Sequence, residues 1–335
     1  MRARTPDQEG YVERDGVRLW YEVHGDGGPT VLLIPGWSLP SRAWKAQVPY
    51  LARHFRVIAY DPRGTGRSDR PLGTDAYALS EHTADAVAVM DAVGARSVVA
   101  FGKSRGAQTA LALAAELPAR VQGVIVAAPF VPLSPWPPLA LVWSGFDEPS
   151  AKKRRRAAVR MALTSVRQVV RSRDLRLFTR RVDLMEAADR FSRQGMHDDF
   201  DGFARWFVTQ IVATDPHSTK QIDDLVGWML ETGPQAAADA MAADCVRGFA
   251  GARELCESVS CPVLVIHGDE DLTVPFEWGT RVADLMGAQL FVVPGAGHLP
   301  GGRYPVVVNL AVREFVESLK SRGARPAPDQ TEAAR

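Results

Sequence analysis

Apolar residues along this chain fall into two kinds of pattern, and their order predicts its architecture. Near the start, two short runs, 11–14 and 17–23, flank Asp15-Gly16. That pair suits the positive dihedrals of a two-residue turn, so residues 11–24 are expected to form a β-hairpin. An unbroken apolar run at 31–34 ends at Pro35-Gly36, and helical spacing over 43–52 leads to a second run at 55–60. The alternation continues with a helix over 80–93, a strand at 97–101, a helix over 105–117 and a strand at 121–127. It resumes later with a strand at 263–267, a helix over 276–286, a strand at 289–293 and a helix over 305–320. Short continuous apolar strands separated by helices indicate a mostly parallel sheet covered by helices on both faces.

The middle of the chain is different. Between 132 and 259 no buried strand is evident, while Val159, Leu163, Val166 and Val170, and again Ile222, Leu225, Val226 and Leu230, recur at helical spacing. The predicted organisation is a core in two parts, 1–131 and 260–321, interrupted by a helical cap insertion at 132–259. A polar, proline-containing tail at 322–335 is expected to be disordered.

Composition narrows the function classes. With 335 residues, 46% of them hydrophobic, and a formal net charge of +1, the chain reads as an ordinary soluble protein. It has no global field to draw it to nucleic acid or a membrane surface. No apolar run is long enough to span a bilayer, and residues 1–10 lack the apolar core of a signal peptide. Cys245, Cys256 and Cys261 are odd in number and lack metal-ligand spacing, which fits a reducing compartment. The cytoplasm is the expected location.

The chemistry concentrates at Gly102-Lys103-Ser104-Arg105-Gly106, directly after the 97–101 strand and opening a helix. This is G-x-S-x-G in strand–turn–helix context, the nucleophile elbow that lifts a serine hydroxyl above the sheet. Gly102-Lys103-Ser104 also resembles the end of a phosphate-binding loop, but that loop needs a glycine where Ser97 stands and a flexible stretch where a hydrophobic strand runs. Gly64-Thr65-Gly66 likewise fails as a dinucleotide fingerprint, because Asp69 replaces the third glycine. A serine needs a base, and the base an orienting acid. Behind such an elbow the chain order is serine, acid, histidine. Beyond the strand at 263–267 stands Asp271, with Asp269 and Glu270 as competitors, and His298 is the one histidine that follows. The strand at 121–127 runs into Ala128-Pro129-Phe130 with no carboxylate, which favours Asp271. The predicted catalytic triad is Ser104, Asp271 and His298. The oxyanion hole is assigned to the backbone N–H groups of Arg105 and Trp37.

Across 11–128 and 263–319 the chain resembles the α/β-hydrolase superfamily. Besides the motifs above, it carries Asp61-Pro62-Arg63-Gly64-Thr65-Gly66-Arg67-Ser68 and Val274-Pro275 in the expected places. The resemblance implies the α/β-hydrolase fold and a cofactor-free serine esterase. It would cleave a carboxylic ester or related small acyl compound through an acyl-enzyme. An acyltransferase with the same triad and a non-catalytic ligand-binding protein are the alternatives. An aspartate nucleophile would suggest epoxide or haloalkane hydrolysis, and Ser104 argues against both. The chain departs from the family at Pro35, where a histidine is usual, and at the two basic residues flanking the nucleophile, Lys103 and Arg105. Those two either favour an anionic acyl group or meet solvent or a carboxylate.

Weaker signals remain. Lys152, Lys153, Arg154, Arg155 and Arg156, continued by Arg160, Arg167, Arg171, Arg173 and Arg176, offer an anionic partner a docking surface or form a solvated helix face. Trp136, Trp143, Phe146, Trp206, Phe207 and Trp228 either wall an acyl pocket or make the core of the cap. His217 and His267 read as structural. His197, among Asp198, Asp199 and Asp201, lacks convincing metal spacing, so neither metal nor cofactor is expected.

Overall fold

The computed structural model describes residues 4–134, 146–148, 150, 152–153, 184–213, 215–243, 245–246 and 248–323. Eight strands form one sheet: β1 (Gln8–Arg14), β2 (Val17–His24), β3 (Thr30–Ile34), β4 (Arg56–Tyr60), β5 (Val98–Lys103), β6 (Val121–Ala127), β7 (Val263–Gly268) and β8 (Gln289–Val293). Their order is β1-β2-β4-β3-β5-β6-β7-β8. β1 and β2 pair antiparallel through the turn at Asp15 and Gly16, which have φ of 50° and 76°. β2 meets β4 antiparallel, and every other neighbouring pair is parallel. This is the α/β-hydrolase fold.

The described helices are α1 (Val48–Leu51), α2 (Leu79–Ala92), α3 (Gly106–Glu116), α4 (Leu184–Arg190), α5 (Arg193–Asp198), α6 (Phe200–Trp206), α7 (Thr219–Thr232), α8 (Pro234–Ala242), α9 (Phe249–Glu257), α10 (Phe276–Met286), α11 (Pro300–Arg303) and α12 (Pro305–Gly323). The single helix expected over 43–52 is instead a 3-10 turn, Ser41–Trp44, and the short α1. Pro49 explains the break, since a proline lacks the N–H that a helix interior needs and fits only a first turn. α12 reaches Gly323, so the helix overruns the start of the tail expected from 322, and residues 324–335 lie outside the described part.

Strand alternation sorts the core into two layers. Val98 and Ala100 of β5 pack with α2 and α3, against Ala86, Met90, Ala107 and Leu111. Val99 and Phe101 face the other way, toward Leu51 of α1 and Val308, Val312 and Phe315 of α12. Between β6 and β7 every described element is helical. These helices make a third cluster from Phe191, Met196, Phe203, Leu225 and Met229, which also takes in Leu299 and the half-buried Trp37. That layer therefore lies over the C-terminal edge of the sheet. A Ser218–Gln221 capping box starts α7, and Gly233-Pro234 ends it and begins α8. Among the described residues no helix is long and apolar enough to cross a membrane.

Candidate active site

β3 is flanked by β4 on one side and β5 on the other, so the chain reverses its direction of travel across the sheet there. Crevices at such switch points, beyond the carboxyl ends of the strands, are where open α/β sheets place ligands. Ser104 follows β5 at this point, with φ of 52°. A non-glycine residue in that region carries a strain of about 1–3 kcal/mol and has to be held there by its surroundings. Ser104 is held on several sides. Its N–H donates to Ala127 O at 2.9 Å, and its carbonyl accepts from Ala107 N at 3.0 Å and Phe130 N at 3.1 Å. The two glycines of the motif are sterically required. A Cβ on Gly102 would stand 2.3 Å from Gly106 O, and one on Gly106 would stand 2.3 Å from Pro35 O.

Asp271 follows β7 and His298 follows β8, at the same edge of the sheet. The three side chains form one hydrogen-bonded chain. Ser104 Oγ lies 3.0 Å from His298 Nε2, and His298 Nδ1 lies 2.8 Å from Asp271 Oδ2. With Nδ1–H donating to the carboxylate, Nε2 presents its lone pair to the hydroxyl. Asp271 Oδ1 accepts from the amides of Thr273 at 2.8 Å and Val274 at 2.9 Å. Burial alone would push the Asp271 carboxyl up. The His298 charge and the hydrogen bonds from His267 and His298 outweigh it and hold the carboxyl well below its usual range. The competing acids are elsewhere: Asp269 accepts from Gly295 N at 2.7 Å, bracing the loop that carries His298, and Glu270 is exposed.

The histidine read as merely structural, His267, touches the same carboxylate. Its Nε2 is 3.1 Å from Asp271 Oδ2 and 3.3 Å from Val274 O, so it donates and the ring is held as the Nε2–H tautomer. Its Nδ1 is buried without a partner, and Gly279 leaves room for it: a Cβ there would come within 2.2 Å. No motif announces this contact. The one sequence signal is a histidine closing an otherwise apolar strand four residues before the acid.

On the opposite flank, a Cβ on Gly36 would meet Ser104 Cβ at 3.2 Å, so the loop after β3 lies directly against Ser104. Trp37 in that loop bonds through Nε1 to Ala237 O at 3.2 Å, and the Arg105 guanidinium donates to Ala240 O, both on α8. A cavity of about 50 Å³ behind them is lined by Arg63, Tyr77, His82 and Cys245 as well. Burial pushes His82 down to about 4, so its ring stays neutral there. The two basic residues beside Ser104 diverge: Arg105 turns to α8, and Lys103 lines a second cavity on the α1/α12 face.

The Asp61–Ser68 loop is a brace. Buried Asp61 accepts from Ser41 N at 2.7 Å and Arg67 N at 2.8 Å, and buried Arg63 pairs with Asp85 at 2.6 Å. Phe146, Trp206 and Trp228 are buried and Phe207 half-buried in the helical layer, while Trp136 and Trp143 lie outside the described residues. Lys152 and Lys153 are exposed, and the arginines of the basic run from Arg154 to Arg176 also lie outside them. Among the described residues no group of three or more potential ligands gathers to hold a metal ion, and His197 is not part of one.

The chain is 28% identical over 308 residues to a protein of Caulobacter sp. (strain K31) provisionally named a carbamate hydrolase, covering 89% of this chain and 95% of that one. It is 29% identical over 315 residues to a non-heme chloroperoxidase of Streptomyces lividans, covering 91% and 98%. Among solved structures, an esterase from Rhodococcus sp. ECU1013 superposes with a TM-score of 0.67 at 24% identity, covering 93% of this chain and 98% of that one, a likeness of fold. The family profile described as alpha/beta hydrolase fold matches residues 29–301. The chain belongs to that family.

Proposed function

We propose that this hydrolase cleaves a carboxylic ester or a closely related small acyl compound through an acyl-enzyme on Ser104. The observation that carries this reading is the unbroken hydrogen-bonded path from Ser104 Oγ through His298 to Asp271. Ser104 Oγ attacks the carbonyl carbon as its proton passes to His298 Nε2. Asp271, kept ionised, steadies the imidazolium. The amides of Trp37 and Arg105 receive the oxyanion, one from the loop against Ser104 and one from the start of α3. His298 then returns the proton to the leaving group, and the C–O bond to that group breaks. A water deprotonated by His298 attacks the acyl-enzyme and releases the acid and free Ser104. The carbamate hydrolase name of the Caulobacter relative fits the same carbonyl chemistry. Within the insertion expected at 132–259, the described helices serve as the cap over this site, and no cofactor takes part.

A fluorophosphonate is expected to label Ser104 stoichiometrically, and p-nitrophenyl esters of graded chain length to give a burst. Ser104→Ala should lose about 10⁴–10⁶-fold in kcat with folding intact. Undiminished turnover in that variant would sink the mechanism. Product partition with an added alcohol or amine separates hydrolysis from acyl transfer.

A further inference from the structure

Lys103 continues the parity of Val99 and Phe101 on β5, so its side chain enters the α1/α12 side of the sheet, away from Arg105. There it lines a cavity of about 70 Å³ roofed by α7, with Trp44, Phe101, Leu225, Trp228 and Val308 among the walls. Several polar groups around it are engaged. Lys45 pairs with Asp224, Gln47 Nε2 donates to Gly301 O at 2.8 Å, and Gln221 Nε2 donates to Gly302 O at 2.8 Å. Two buried atoms on lining residues are not. Trp44, packed on Phe101 at 4.6 Å and 3% exposed, carries an Nε1–H with no acceptor among the described residues. The His217 side chain, 1% exposed, leaves Nε2 without a partner among them. His217 Nδ1 lies 2.8 Å from Asp215 O, and a carbonyl only accepts, so Nδ1 holds the proton and Nε2 presents a lone pair. An orphaned donor and an orphaned acceptor thus belong to the lining of one cavity.

We propose that this cavity binds a small primary alcohol, its hydroxyl accepting from Trp44 Nε1 and donating to His217 Nε2, and its alkyl end lying against Phe101, Leu225 and Trp228. Each unpaired buried atom costs the desolvation of its group, and a hydroxyl, which accepts and donates at one oxygen, offsets both costs. At about 10–15 Å³ per water-sized group, the cavity holds roughly five to seven such groups, which suits n-propanol or n-butanol. A water would satisfy the pair, but a cluster filling the space would need about two to four polar partners for each molecule, and the remaining walls are mainly apolar. Neither Ser104 nor His298 lines the cavity, so the assignment does not depend on the proposed hydrolysis.

A nitrogen–proton correlation spectrum of the full chain, titrated with n-propanol, tests the assignment. The Trp44 indole signal is identified by its loss in Trp44→Phe. It is expected to move downfield and to saturate on a one-to-one isotherm, also in enzyme blocked at Ser104 by a fluorophosphonate. The signals of Trp20 and Trp278, outside the lining, should stay in place. Ethyl methyl ether, an isomer of n-propanol, accepts but cannot donate. It sheds its hydration more easily, so an apolar cavity would prefer it, whereas the polar pair should hold n-propanol at least about tenfold more tightly. His217→Phe should erase that preference. Ether binding as tightly as the alcohol, tighter binding of propionate, no saturable shift, or loss of binding on labelling Ser104 would each overturn the proposal. If the variants fail to fold, the comparison of alcohol with ether in the wild type, read by calorimetry, still decides.

Discussion

Among the described residues two buried aspartates meet histidines, Asp271 and Asp215, and they are wired in opposite ways. In the pair after β7 and β8, Asp271 accepts hydrogen bonds from two backbone amides and two imidazoles, and His298 hands its other nitrogen to a serine. In the pair before α7, both Asp215 oxygens lack a hydrogen bond, and His217 donates to the backbone carbonyl instead. A carboxylate surrounded by donors stays ionised and fixes the ring beside it, which a proton relay requires. A carboxylate left bare is an electrostatic bias without a fixed geometry. Chemistry at a His–Asp pair thus depends on what satisfies the acid.

The largest expected effect falls on the satisfied pair. Asp271→Asn should cut kcat about 10⁴-fold, because an amide cannot hold the imidazole in the working tautomer and stabilise its charge. Initial rates with a p-nitrophenyl ester, together with a circular dichroism spectrum, check this. A smaller effect belongs to His267. His267→Leu should lower kcat about tenfold with KM little changed, and His267→Gln, which keeps a donor, should recover most of the loss. A purely structural role would move both variants alike in thermal stability and neither in the pH profile of kcat.

Lys103 contributes a stability effect with a definite sign. Its folded-state pKa of about 8 lies below the ordinary lysine value, so the unfolded chain binds the extra proton and stability rises with pH between about 8 and 10.5. Lys103→Met should therefore be more stable than the wild type at pH 7, by at least about 1 kcal/mol, and the gap should close by pH 10.5. Urea midpoints across that range measure it. The smallest change is expected at the bare carboxylate. Asp215→Asn forfeits no accepted hydrogen bond, so the same assay should find it within about 1 kcal/mol of the wild type.

Local patterns made much of this legible in the sequence. The strands were visible as apolar runs because both faces of the sheet are buried, and Ser104 because its turn needs Gly102 and Gly106 at fixed offsets. Asp271 and His298 followed from chain order. What was hidden depends on chain segments returning in space. His267 and Asp271 meet because the turn after β7 folds the acid back over the strand end, and no periodicity encodes that. The opposite destinations of Lys103 and Arg105 were equally invisible, since they follow from a strand's parity and a helix's start. At 43–52 the helical spacing was real, but Pro49 divided it.

The N-terminal turns of α3 are stitched to the chain above them. Arg105 reaches Ala240 O, and Gln108 bonds Val246 O and N, each at 2.9 Å, while also holding Phe130 O at 2.8 Å. Trp37 reaches Ala237 O from the other side of Ser104. Any outward swing of α8 to admit a bulky molecule would tug on both residues whose amides are assigned to the oxyanion. An opened roof would thus be a slackened grip on developing charge, so docking and reactivity would alternate in time.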